Sequence, residues 1–187
     1  MFKKILMALA AVIAVFLIVV ALQNPDFNIS RSQIVNATPA QVFPVVNNFH
    51  KWEEWSPWAK LDPASKSTFE GPDSGVGAVF GWSGNMKVGT GKMTIMESRP
   101  AELIRIRLDF FKPMAGTDTS EFAFRAAGQG TEVTWSMMGK KNFVSKAMCL
   151  FMSMDKMMQP YFEKGLAQMK AEVEKGKKPA LADTAGG

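Results

Sequence analysis

Side chains suited to covalent, acid–base or metal chemistry are scarce in this chain. One histidine (His50), one cysteine (Cys149) and one tyrosine (Tyr161) stand against 14 phenylalanines, 14 methionines and 5 tryptophans. Nucleophilic, general-base and metal catalysis draw mostly on His, Cys and paired carboxylates. His50-Lys51-Trp52-Glu53-Glu54 lacks the His-Glu-x-x-His spacing that sets two imidazoles on one helical face, and reads as a solvated helix start. Gly89-Thr90-Gly91-Lys92 looks like the end of a phosphate-binding loop. Met86 stands where that loop needs its first glycine, however, and Met93 where it needs Ser or Thr. No catalytic residue, metal site or cofactor is therefore expected. Asp155, Glu97 and Asp109 are the carboxylates that an acid–base reaction could use, and strand alternation points Asp109 outward. Asp155 interrupts an apolar stretch; a surface pairing with Lys156 or Gln159 is preferred over a general acid within a cavity.

What the chain holds in quantity is soft and aromatic apolar surface. Methionine refits its thioether to irregular shapes and aromatic rings make rigid walls, which suits a cavity for a greasy guest. The same residues also fill ordinary cores. Trp52, Trp55 and Trp58 are spaced by three and share one face of a helical turn. They either rim a cavity or staple short helices to a sheet.

These side chains need elements to position them, and the first is apolar throughout. Ile5 to Leu22 draws only on Ala, Val, Ile, Leu, Met and Phe, preceded by Lys3 and Lys4. As a helix it is about 27 Å long, close to the roughly 30 Å of a hydrocarbon core. It exceeds the apolar region of a cleaved signal peptide and offers a poor cleavage site, so an uncleaved anchor is favoured. The lysines ahead of it keep residues 1–4 cytoplasmic and send the rest across, to the periplasmic or outer face of a bacterial inner membrane. Net charge is +5 with a pI near 9.4. Much of that surplus lies beside the anchor and in the last residues, so no basic stripe for nucleic acid is seen. Cys149 is alone, which excludes an internal disulfide.

After a linker at 23–26, Phe27 to Asn36 reads as a strand. Thr38-Pro39 starts a helix carrying Val42, Phe43, Val45 and Val46, and Trp52 to Trp58 forms a second short turn. Period-2 alternation runs from Ser67 to Lys140, cleanest where Ile104, Ile106, Leu108 and Phe110 interleave with Arg105, Arg107 and Asp109. Close turn signals make these strands antiparallel neighbours, about six or seven in number. Asn142 to Lys175 reads as a helical pattern, with Phe151, Met154, Met158 and Phe162 on its inner stripe and kinked or split at Pro160. Met148 and Met152 fall on its other side, toward a membrane or a partner. Residues 176–187 read as a disordered tail.

That order of elements resembles the START-like superfamily, also called Bet v 1-like or SRPBCC, in its membrane-anchored polyketide cyclase/dehydrase and lipid transport type. The matching stretches are Trp52-Glu53-Glu54-Trp55-Ser56-Pro57-Trp58, Phe69-Glu70-Gly71-Pro72, Gly75-Val76-Gly77-Ala78 and Trp82-Ser83-Gly84-Asn85. Val133-Thr134-Trp135, Met154-Asp155-Lys156-Met157 and Phe162-Glu163-Lys164-Gly165-Leu166 complete them. The resemblance implies an α+β helix-grip fold over 27–175, in which a curved antiparallel sheet is closed by the long C-terminal helix around an apolar cavity. Trp55, Trp58, Phe80, Trp82, Ile106, Phe124 and Trp135 would line it, facing Phe151, Met154, Met158 and Phe162 from the helix. The expected function is a membrane-tethered carrier of a hydrophobic small molecule or lipid. A cyclase or dehydratase, or an interaction module with a filled core, are the alternatives.

Overall fold

The computed structural model describes residues 1–175; the expected tail at 176–187 lies outside them. Helix α1 (Phe2–Leu22) is an apolar rod of mean hydropathy 3.3 whose surface is almost wholly uncovered. There follow β1 (Asp26–Val35), α2 (Pro39–Val46), a 3-10 turn (Phe49–Lys51), α3 (Trp52–Trp55), β2 (Lys66–Glu70), β3 (Val79–Ser83) and β4 (Thr90–Arg99). The chain continues through β5 (Leu103–Lys112), β6 (Gly116–Ala127), β7 (Gly130–Lys140), α4 (Phe143–Cys149) and α5 (Met154–Lys175). The architecture is the expected α+β helix-grip. Seven strands form one antiparallel sheet in the order β1-β7-β6-β5-β4-β3-β2, so β1 returns to pair with the last strand.

Alternation sorts the sheet into two faces. Ile104 and Ile106 of β5, Phe122 and Phe124 of β6, and Val133 and Trp135 of β7 are buried on the concave face. The residues between them carry charge on the convex face. There Arg105 bridges Glu97 and Glu121, and Arg107 pairs with Asp109 at 2.8 Å. Burial pushes the Asp109 carboxyl up, but Arg107 and Thr117 more than offset this and leave it below its ordinary range. Helix α2 begins as its sequence directs: Pro39 occupies the first turn and the Thr38 N–H donates to Gln41 Oε1 at 3.1 Å.

The C-terminal helix departs from expectation in where it breaks. The interruption falls at 150–153, and Pro160 sits inside α5. Ser153 supplies the start signal: its Oγ accepts the Lys156 N–H at 3.3 Å, with Asp155 in the first turn next to the helix's positive end. Pro160 is exposed, so the backbone carbonyl it leaves unpaired one turn back is not sealed in a core. Asp155 pairs neither with Lys156 nor with Gln159. It takes Arg31 of β1 at 2.8 Å, and that hydrogen bond holds its carboxyl below the usual range. This contact is present at neutral pH and lost as pH falls through the depressed pKa. Arg31 also lies 3.8 Å from Glu163, so one arginine ties the edge strand to two turns of α5.

Candidate functional site

Under α5 the concave face is solid. The Trp135 indole stacks on Phe122 at 4.9 Å and on Phe162 of α5 at 4.3 Å, while Trp55 meets it edge-on at 6.0 Å. Each buried indole has a hydrogen-bond acceptor: Trp135 donates to Ser120 Oγ at 2.8 Å, Trp52 to the Val46 carbonyl at 2.8 Å and Trp55 to the Val45 carbonyl at 3.3 Å. The helix reaches this depth because residue 165 is glycine. A Cβ there would stand 2.6 Å from the Trp135 ring and 3.1 Å from Pro57. Trp58 sits at the border, half-buried, edge-on to Trp135 at 5.7 Å and stacked on Tyr161 at 5.8 Å.

Toward β3 and the far ends of β4 to β6 the same face is open. Helix α5 packs chiefly on β1, leaving Phe80, Trp82, Leu108 and Phe110 half-buried. Their geometry is nevertheless fixed. Trp82 lies across Gly91, where a Cβ would come within 2.5 Å of its ring, and its Nε1 donates to the Val88 carbonyl at 3.1 Å. Phe80 stacks beside it at 6.2 Å and Phe110 meets it edge-on at 5.9 Å. The result is a half-covered aromatic stretch of the concave face, a candidate trough, held in place by backbone contacts.

One carboxylate stands in the trough floor. Asp118 falls in step with Ser120, Phe122 and Phe124, faces Leu108 across the β5–β6 ladder, and lies over Gly139 of β7. A side chain at 139 would collide with it, so glycine makes its seat. Burial among apolar neighbours pushes its carboxyl up to about 6, against the opposing pull of a hydrogen bond from the Lys140 backbone. Around pH 6 this group passes from an O–H donor to an acceptor. The carboxylates proposed from sequence do not share this position: Glu97 and Asp109 lie in convex ion pairs, and Asp155 is held by Arg31.

The sequence-predicted lining divides three ways. Trp55, Ile106, Phe124, Trp135 and Phe162 are buried in the solid half. Trp58, Phe80, Trp82, Met154 and Met158 are half-buried against the core. Phe151 is 85% exposed in the break before α5, off the inner stripe that an unbroken helix would have given it. Sequence reasoning placed Leu108 and Phe110 on the apolar face of β5 without counting them in the lining, and missed Asp118 altogether. The period-2 step back from Phe122 would have found the last. A hollow of about 240 Å³ lies at the β2 edge of the sheet, between the 3-10 turn and β2–β3. There His50 stacks on Phe69 at 4.0 Å and lies 3.6 Å from the solvated Asp73.

The chain belongs to the polyketide cyclase/dehydrase and lipid transport family, whose model matches residues 26–174. No curated protein matches it. Among solved structures it is similar to a protein of unknown function from Staphylococcus aureus, at 11% identity and a TM-score of 0.62 over 82% of this chain and 97% of that one. It is likewise similar to a crystal structure from Chromobacterium violaceum, at 15% identity and a TM-score of 0.58 over 79% and 96%. The Aha1 dimer from Colwellia psychrerythraea gives 15% identity and 0.56 over 81% and 99%. At such identities the likeness is one of fold.

Proposed function

We propose that this protein is a membrane-tethered carrier that holds a hydrophobic small molecule or lipid in the trough of Phe80, Trp82, Leu108 and Phe110. The observation that carries the reading is the contrast within one face: aromatic side chains left half-buried beside a half where the same residue types are closed over. Covering apolar surface contributes about 25 cal/mol per Å², so a ligand bridging the trough gains affinity without a charged partner. Met154 and Met158 supply an adaptable wall. Helix α1 is the tether, which keeps the trough near a bilayer source of ligand. The test is native mass spectrometry of the full chain extracted from its host membrane. A co-purifying lipid whose occupancy falls in Trp82→Ala supports the reading; an empty protein that takes up no member of a lipid panel overturns it.

A second reading, an enzyme of the cyclase or dehydratase kind, is favoured by Asp118 alone. A carboxyl with a pKa of about 6 in an apolar floor suits a general acid or base working near neutral pH. Turnover of a poly-β-ketone substrate that vanishes in Asp118→Asn, with ligand binding retained, would move the assignment to catalysis.

A further inference from the structure

Three segments on the α1 side of the domain meet in one rim. Gly89 of the β3–β4 loop lies directly against the Lys112 carbonyl of the β5–β6 turn. From that turn, the Met114 sulfur contacts the Asn142 amide at 3.6 Å, at the start of α4. Lys146 Nζ of α4 donates to the Ala21 carbonyl of α1 at 3.0 Å, and the Lys141 N–H to the Pro25 carbonyl at 2.7 Å. Helix α4 thus packs on the last turn of α1, where Val20 is the one buried residue of that helix.

The chemistry of the rim is uniform. Met86, Phe111, Phe143, Phe151 and Met152 all present exposed apolar side chains. Residues 84–89, 111–115 and 140–153 contain Lys87, Lys112, Lys140, Lys141 and Lys146, and no Asp or Glu. Asp26 stands opposite Lys140 in the β1–β7 ladder. Large apolar groups interleaved with lysine suit one surface, the boundary of an anionic bilayer, where rings and thioethers enter the acyl edge and ammonium groups reach phosphate. A second copy of this chain, docked rim to rim, would bring the same lysines against each other. The trough opens onto the same rim: Trp82 is bonded to Val88 in its first loop, Phe110 adjoins Phe111, and Gly139 beneath Asp118 adjoins Lys140.

We infer that α4 and the two neighbouring loops lie in the headgroup layer of an anionic bilayer, seating the open end of the trough against lipid. This rests on the reading of α1 as a membrane span. The test uses the full chain, with Cys149→Ala, in vesicles of phosphatidylcholine and phosphatidylglycerol carrying nitroxide-labelled acyl chains. A fluorophore is placed at Phe16→Cys in α1, at Phe151→Cys in the rim, or at Ser67→Cys on β2. Quenching at 16 and 151, each several-fold above that at 67, is the expected result. Lys112→Glu with Lys141→Glu should lower quenching at 151 and spare that at 16. Quenching at 16 without 151 overturns the inference and leaves the tether standing. No quenching at either position overturns both. Label-to-label contact at 151 without quenching identifies a second copy as the occupant and also overturns it.

Discussion

The two halves of the concave face are built from the same residue types and behave as different materials. Beneath α5, Trp55, Phe122, Trp135 and Phe162 interlock and hold almost no exposed surface. Beyond it, the rings of Phe80, Trp82 and Phe110 contact one another, Phe80 also meets Phe49 and Phe69, and these side chains stay half-buried with Leu108. The difference lies in the covering helix and not in the sheet. Gly165 lets α5 descend onto Trp135, and Arg31 fixes α5 along β1, which keeps the helix to one side. Sheet aromatics are closed into core or left half-covered according to what lies above them.

That contrast is open to attack at four points. Trp135→Ala removes the ring that four others pack on, and a loss of about 3–5 kcal/mol is expected from equilibrium urea unfolding in detergent. Gly165→Ala pushes a methyl into Trp135 and Pro57 and should cost about 1–3 kcal/mol in the same measurement. Trp82→Ala should cost less, about 1–2 kcal/mol, because its ring is only half-covered, yet lower the affinity for a fluorescent lipid most. Equal stability losses at 82 and 135 would erase the distinction between the halves.

The smallest effect is pH-dependent. Because the Asp118 carboxyl is raised to about 6 in the folded chain, its ionisation opposes folding. The native state is unburdened at pH below the ordinary carboxylate value and loses stability as pH climbs through 6. Asp118→Asn should match the parent near pH 4 and exceed it by about 1 kcal/mol near pH 7, a figure discounted for the solvent that reaches the group. Parallel pH–stability curves for the two proteins would return Asp118 to an ordinary surface position.

The sheet was largely readable in advance because alternation is a strong signal. Ile104 and Ile106 against Arg105 and Arg107 set the two faces of β5, and their neighbours followed. The helix boundaries were harder to read. Pro160 is the more obvious breaker, but a missing donor near a helix start costs little when the freed carbonyl is not buried, whereas the Ser153 cap actively begins a new helix. Asp118 was hidden by composition. Gly116 to Ser120 holds no large apolar residue to mark a face, so Asp118 shows as inward only when the alternation of Phe122 and Phe124 is carried back to it, as the register opposite β5 confirms. The open half was equally out of reach, since strand alternation says which face a residue takes and nothing about whether a helix will cover it.

The joint between α1 and β1 spans three residues, a reach of about 10 Å at full stretch, and it is further pinned at Pro25 and Ala21. On the carrier reading, so short a leash rules out ferrying cargo across a wide aqueous gap. Whatever such a domain lifted from its own bilayer would be handed sideways, to a protein that comes to it or back to the leaflet beneath.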